Sequence, residues 1–177
     1  TAVNRLGARL VGVRTALSLI NQSLRPDGTQ RLTSYQYPGH VLSGGYRLQV
    51  LTCKDCHQPH DLAARDHQGR SAEGPHGNRQ CTACHPAMEK GKALAAHSRH
   101  PAKVGCPDCH MPLSWIGDDD RRQQRTSDHS ISSPHPRETI ELGTPNACNE
   151  CHRDQSPEWS LAALERWKMH GVTGVRE

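Results

Sequence analysis

The first 24 residues carry apolar side chains at alternating intervals of three and four positions, from Val3 to Leu24. This is the heptad spacing of an amphipathic helix, so we predict one helix over residues 3–24. Its apolar stripe must pack against another surface. The sequence alone is consistent with two such surfaces: the chain's own core or last helix, and another subunit. Turn-forming residues at positions 26–28 predict where the helix ends.

Beyond residue 28 the apolar pattern is weak and predicts short elements joined by loops. The last helix is the best marked, because Ser156 suits an N-cap and Pro157 suits the first helical position. The expected fold is mostly irregular, with a few α-helices and little β-structure. Its parts are a docking or oligomerisation helix (1–28), a core (29–155), and a C-terminal helix and tail (156–177). Within the core we expect short strands or an ordered loop at 35–51, a loop-rich segment at 53–115 with one helix at 86–100, a solvated loop at 117–130 and extended chain at 131–147.

The composition is unusual for a folded chain of 177 residues, since only 33% of it is hydrophobic and Phe is absent. So few apolar side chains cannot offset the conformational entropy lost on folding, and composition alone would favour disorder. The formal net charge of +4 is mild and gives no reason to expect a nucleic-acid partner. A folded core must therefore draw apolar surface from another source.

All eight cysteines lie in four copies of the pattern C-x-x-C-H, the attachment site of c-type haem. The two thiols bond to the haem vinyl groups, and the adjacent His ligates the iron. Zinc would leave unexplained why a His follows every second Cys. Four covalent haem c groups would also supply the missing apolar core. The copies are the first motif (Cys53, Cys56, His57), the second (Cys81, Cys84, His85), the third (Cys106, Cys109, His110) and the fourth (Cys148, Cys151, His152).

Nine histidines lie outside the motifs, enough to supply each iron with a second, distal ligand. An iron closed by two histidines passes electrons, whereas an open iron binds substrate. His60 is too close to the first motif to reach over its own haem, so it would ligate a neighbouring one. His97 and His100 share one helix face and could serve two neighbouring haems. His40 is the main substitute, either for the first haem or for a haem of another subunit.

Several segments resemble the haem region of multihaem c-type cytochromes, including those fused to tetratricopeptide repeats and, distantly, pentahaem nitrite reductases. The similar segments are 53–60, 97–100, 106–112, 127–131 and 143–152, followed by Trp159 and Trp167. The resemblance implies closely packed haems with His60, His97 or His100, and His129 as distal ligands. It extends to tetrahaem extracellular cytochromes that polymerise into filaments. The Lys-ligated catalytic haem of the nitrite reductases has no counterpart here, because every motif ends in His.

The sequence therefore predicts an electron-transfer protein, extracellular or periplasmic after signal-peptide removal, that exchanges electrons with redox partner proteins. No run of residues is apolar and long enough to span a membrane. Two assemblies are open: a homopolymeric filament, or a subunit of a larger redox complex that docks through residues 3–24. The alternative function is a reductase of a small oxyanion at a five-coordinate haem, with His135 and Arg137 nearby.

Overall fold

The computed structural model describes residues 23–32, 36–58, 60, 65, 77–89, 91–100, 104–117 and 124–169. The predicted helix at 3–24 lies almost entirely outside the described residues. The described helices are mostly short and are accompanied by one two-stranded sheet. They are α1 (Gln36–Leu42), α2 (Gly44–Arg47), α3 (Arg79–Thr82), α4 (Gly91–Ser98), α5 (Cys106–His110), α6 (Pro136–Leu142), α7 (Ala147–Cys151) and α8 (Pro157–Met169), with strands β1 (Leu113–Ile116) and β2 (Gln124–Ser127) and 3-10 turns at Cys53–Asp55 and Pro86–Met88.

Residues 36–47 form two helices, so the expectation of strands or a loop was wrong there. Pro38 lies in the first turn of α1, where its missing N–H is not needed. Ser43 then separates the helices and caps α2, since its hydroxyl accepts a hydrogen bond of 3.1 Å from the backbone N–H of Tyr46. The capping chemistry outweighed the aromatic and β-branched residues that suggested strands.

Two further expectations for the core were wrong. The solvated loop predicted at 117–130 contains β2, which pairs antiparallel with β1 so that Leu113 faces Ser127. The extended chain predicted at 131–147 contains α6, which has Pro136 at its first position and ends at Gly143. Gly143 has φ 70°, the left-handed conformation that commonly follows a helix end.

The helix predicted at 86–100 is shorter, because a 3-10 turn occupies its start and α4 ends at Ser98. Arg99 follows in the left-handed region with φ 55°. The last helix is confirmed as α8, and Ser156 caps it by accepting a hydrogen bond of 3.3 Å from the N–H of Trp159. None of the helices in the described part of the chain combines the length and apolar character needed to cross a bilayer.

The interior of the described residues is polar. The buried apolar residues are Ile116 of β1, Ala147 of α7 and the prolines Pro107 and Pro136. Apolar burial is the main favourable term in folding, and so few side chains supply little of it. The buried polar residues are Asp27, Gln30, His40, Ser43, Ser130, Thr144, Asn146 and Ser160.

Candidate haem sites

Each C-x-x-C-H motif forms about one helical turn. In the first, second and fourth motifs the His donates its backbone N–H to the carbonyl oxygen of the first Cys, at 2.9 Å in every case. The third motif is helical throughout as α5. Residues three and four apart on a helix share a face, so each turn puts both thiols and the imidazole on one side. None of the eight cysteines forms a disulfide.

Polar side chains close these turns at their N-terminal ends. Asp55 accepts hydrogen bonds from the backbone and side chain of Thr52, at 2.6 and 2.8 Å. Asp108 holds the third motif in the same way, accepting from the N–H of Gly105 at 2.7 Å. Asn146 caps the fourth motif by accepting from the N–H groups of its first two residues, at 3.0 and 3.2 Å. Such caps satisfy donors that a short helix leaves unpaired.

Three of the four motif histidines stand opposite a histidine from elsewhere in the chain. The ring centroids are 6.1 Å apart for His57 and His129, 5.9 Å for His110 and His97, and 6.0 Å for His152 and His100. A metal–imidazole bond is about 2 Å long and the ring centre lies about 1 Å further on, so two imidazoles on one metal ion are about 6 Å apart. The three pairs therefore have the spacing that two axial ligands of one iron require.

Hydrogen bonds fix the tautomer of the paired rings. Nδ1 of His110 lies 3.0 Å from the carbonyl oxygen of Ser132, and Nδ1 of His129 lies 3.0 Å from that of Ser127. A carbonyl oxygen only accepts, so each Nδ1 carries the proton. Burial lowers the pKa of both His110 and His129, which favours neutral rings. Their Nε2 lone pairs are then available to a metal.

The β-hairpin carries His129 to the first motif. His129 follows β2 directly, and Asp128 shapes the turn by accepting from the N–H and hydroxyl of Ser130, both at 2.8 Å. Helix α1 crosses this turn at Gly39, where a Cβ would lie 3.3 Å from the Ser130 nitrogen and 3.4 Å from the His129 carbonyl carbon. A side chain at position 39 would press on the backbone that holds His129.

The end of α4 supplies the other two histidines that pair with a motif histidine. His97 lies in the last turn of the helix, and His100 lies beyond the left-handed residue Arg99. The His100 ring turns back on this end, with Nδ1 2.5 Å from the carbonyl oxygen of Ser98. One helix terminus thus points two imidazoles at the third and fourth motifs.

The second motif has no partner ring among the described residues. His85 and His60 are both exposed, and no ring pair joins either of them to another histidine in the described part of the chain. His60 stays a predicted ligand. His40 is buried at 6% exposure, and its ring contacts Tyr46 at 5.2 Å, edge to face.

The residues named for the alternative reductase do not form a site with a motif histidine in the described structure. His135 is exposed at the start of α6. Arg137 is exposed and lies 3.5 Å from Glu165 of α8, in a surface ion pair. Neither observation points to a substrate pocket.

Motifs that follow one another in the sequence are also neighbours in space. The Gln80 amide donates to the carbonyl oxygen of Cys56 at 2.9 Å, which joins the second motif to the first. The backbone N–H of Cys106 donates to Asn78 at 2.7 Å, which joins the third motif to the second. Helices α5 and α7 pack on each other, which joins the third and fourth. Burial raises the pKa of Cys109 to about 11, and Cys148 of the next motif adds to that shift.

Sequence reasoning missed the polar anchors of the fourth motif. Asn149 donates to the carbonyl oxygens of His152 and Gln155, at 3.3 and 2.8 Å. The hydroxyl of the fully buried Ser160 donates to the side-chain amide oxygen Oδ1 of Asn149 at 3.3 Å, which ties α8 to α7. An asparagine after the first cysteine of the motif carries no signal of this role in the sequence.

Comparison with protein-family models, curated proteins and solved structures finds no match for this chain. In the described residues, no three His, Cys, Asp or Glu side chains converge as a cage for a metal ion. The motifs, the paired rings and their hydrogen bonds are therefore the features that indicate the chemistry of the site.

Proposed function

We propose that this chain is an electron carrier of the multihaem c-type cytochrome class, with four covalent haem groups. The three ring pairs are the observation that carries the proposal. Each pair joins a motif histidine to a distant histidine at about 6 Å, the distance that one iron between two imidazoles requires.

In this proposal each motif holds one haem through its two thiols and its histidine. The distal ligands are His129 for the first motif, His97 for the third and His100 for the fourth. Each bound haem supplies an iron that gains and loses one electron. The protein positions the imidazoles and fixes the tautomers of His110 and His129 through backbone carbonyls.

The adjacency of successive motifs supports conduction. The hydrogen bonds from Gln80 and to Asn78, together with the packing of α5 on α7, keep consecutive attachment turns together. We infer a series of sites that follows the order of the motifs in the sequence. Electrons would pass from either end to the other without any acid or base group.

The polar interior supports the same function. A chain whose described part buries only Ile116, Ala147 and two prolines among its apolar residues needs another apolar surface to fold around. Four macrocycles attached through short, capped turns would provide it. Attachment takes place outside the cytoplasm, so we propose an extracellular or periplasmic protein with redox proteins as partners.

The proposal is tested on protein produced with a cytochrome c maturation system. We expect mass spectrometry to find four covalent haems and the reduced spectrum to be that of c-type haem. Low-temperature electron paramagnetic resonance (EPR) should show low-spin ferric iron at the first, third and fourth motifs. A protein that matures with no covalent haem would refute the proposal.

The second motif decides between a pure carrier and the alternative reductase. If His60 or another histidine closes its iron, all four signals are low-spin. A high-spin signal from about one iron in four would support the reductase at that motif. Its loss on adding cyanide or imidazole would show that the open position is accessible.

Assembly is tested separately, because it involves residues 3–24, of which the structure describes only the last two. Negative-stain microscopy of native material distinguishes a filament from a discrete redox complex. A head-to-tail contact produces filaments, whereas a two-fold contact closes into a dimer. Deletion of residues 3–24 should abolish whichever contact is present while leaving four haems bound.

A further inference from the structure

The ring pair at the fourth motif differs from the other two in orientation. The planes of His100 and His152 are inclined at 52°, whereas the pairs at the first and third motifs are inclined at 24° and 14°. The centroid distances are nearly the same. The difference is therefore a rotation of the rings and not a change in spacing.

Two tryptophans of α8 contact the rings of this pair, one each. The Trp159 ring lies 5.0 Å from the His152 ring, tilted by 48°. The Trp167 ring lies 5.8 Å from the His100 ring at 77°, an edge-to-face contact. The two tryptophans are eight residues apart, which is about 12 Å along a helix axis. Helix α8 thus contacts each of the two imidazoles with a different tryptophan.

Helix α8 is anchored firmly enough to set these contacts. Ser156 caps it, and Ser160 ties it to Asn149 in the middle of the fourth motif. It also packs along α6. The tryptophans are therefore presented from a helix whose position is fixed relative to the attachment turn.

We propose that Trp159 and Trp167 are positioning residues that hold the imidazoles of His152 and His100 in a twisted arrangement. The iron bound between these two imidazoles would then differ from the others in its reduction potential and its EPR signal. This rests on the proposed function. Two imidazoles with parallel planes donate into the same d orbital of a ferric iron, and this stabilises the ferric state. Two imidazoles with twisted planes spread the donation over two d orbitals, and the ferric state is stabilised less. The twist thus raises the reduction potential and the largest EPR g-value of that iron.

The test compares the holoprotein with Trp159→Leu and Trp167→Leu. Each variant should lower the largest g-value of one low-spin ferric signal and shift one of the four reduction steps to lower potential. The other signals should not move. Trp115→Leu is the matched control, because Trp115 is half exposed on β1 and its ring contacts Arg125. It should change neither reading.

Haem content is measured in every sample. Four haems with unchanged g-values and potentials in both variants would refute the positioning role and leave the proposed function intact. Absence of covalent haem from the unsubstituted protein would instead refute the proposed function. Trp159→Phe and Trp167→Phe keep an aromatic ring and should shift the same signal by less. Loss of the fourth haem from both Leu and Phe variants would contradict the inference, since the tryptophans would then serve attachment.

Discussion

Removal of the His129 imidazole should open one iron in four. Its ring lies 6.1 Å from that of His57, a separation filled by two metal–nitrogen bonds of about 2 Å and the ring radii. In His129→Ala the sequence of the hairpin, residues 113–127, contains no other histidine to take its place. The high-spin ferric signal should grow by about one iron in four, because the ligands of the other irons do not change. EPR and the visible charge-transfer band measure this fraction.

Exogenous imidazole provides the positive test. The space left by the side chain matches an imidazole, so millimolar imidazole should restore the low-spin signal in His129→Ala. The exposed His135, changed to Ala, is the matched control and should leave all four irons unchanged. His40 is buried and close enough to contribute to the lowered pKa of His129, so the double variant with His40→Ala excludes its substitution. Four low-spin irons in that double variant would refute the assignment of His129.

Three stability predictions follow, each read from thermal unfolding of the holoprotein. Asn149→Ala should lower the free energy of unfolding by about 1–3 kcal/mol, because it leaves two main-chain carbonyls of the fourth motif without this donor; an unchanged midpoint would contradict the anchoring role. Gly39→Ala should lower the free energy of unfolding by about 1 kcal/mol, because the added methyl group meets the backbone of His129. Gly44→Ala is the matched control, since its methyl group meets nothing within 4 Å and should not lower stability. Equal effects of the two substitutions would refute the close approach at Gly39. Arg99→Gly should raise the free energy of unfolding by about 0.5–1 kcal/mol, because glycine adopts the left-handed φ of 55° without strain. A lower unfolding midpoint would contradict this, since the Arg99 side chain would then contribute more stability than the strain removes.

The sequence predicted the structural elements whose signals lie in adjacent residues. Helix α8 is set by capping residues such as Ser156, and the four attachment sites are set by the spacing of the motif; these signals are local. Strand β2 and α6 were not predicted, because charged residues indicate a solvated loop at 117–130 and prolines indicate extended chain at 131–147. Pro136 and Gly143 are the proper start and stop signals of a helix, and they lay within the stretch assigned as extended.

The distal histidines could not be assigned from spacing alone, because their partners are set by tertiary structure. His97 and His100 were predicted to serve two haems, and the described rings pair them with the third and fourth motifs. His129 came only from resemblance, since its partner in the first motif lies far away in sequence. His60 and His40 had equally good residue chemistry, and the described rings pair neither with a motif histidine.

Formation of the ring pairs and folding of the chain are therefore parts of one process. His129 joins the hairpin to the first motif, and His97 and His100 join α4 to the third and fourth. The described chain buries few apolar residues, Ile116, Ala147, Pro107 and Pro136, so little apolar packing holds these segments together. A ligand that binds only in the folded chain contributes its binding free energy to folding. In the proposed function each distal histidine closes an iron and links two segments, so its loss should lower stability as well as change the spectrum.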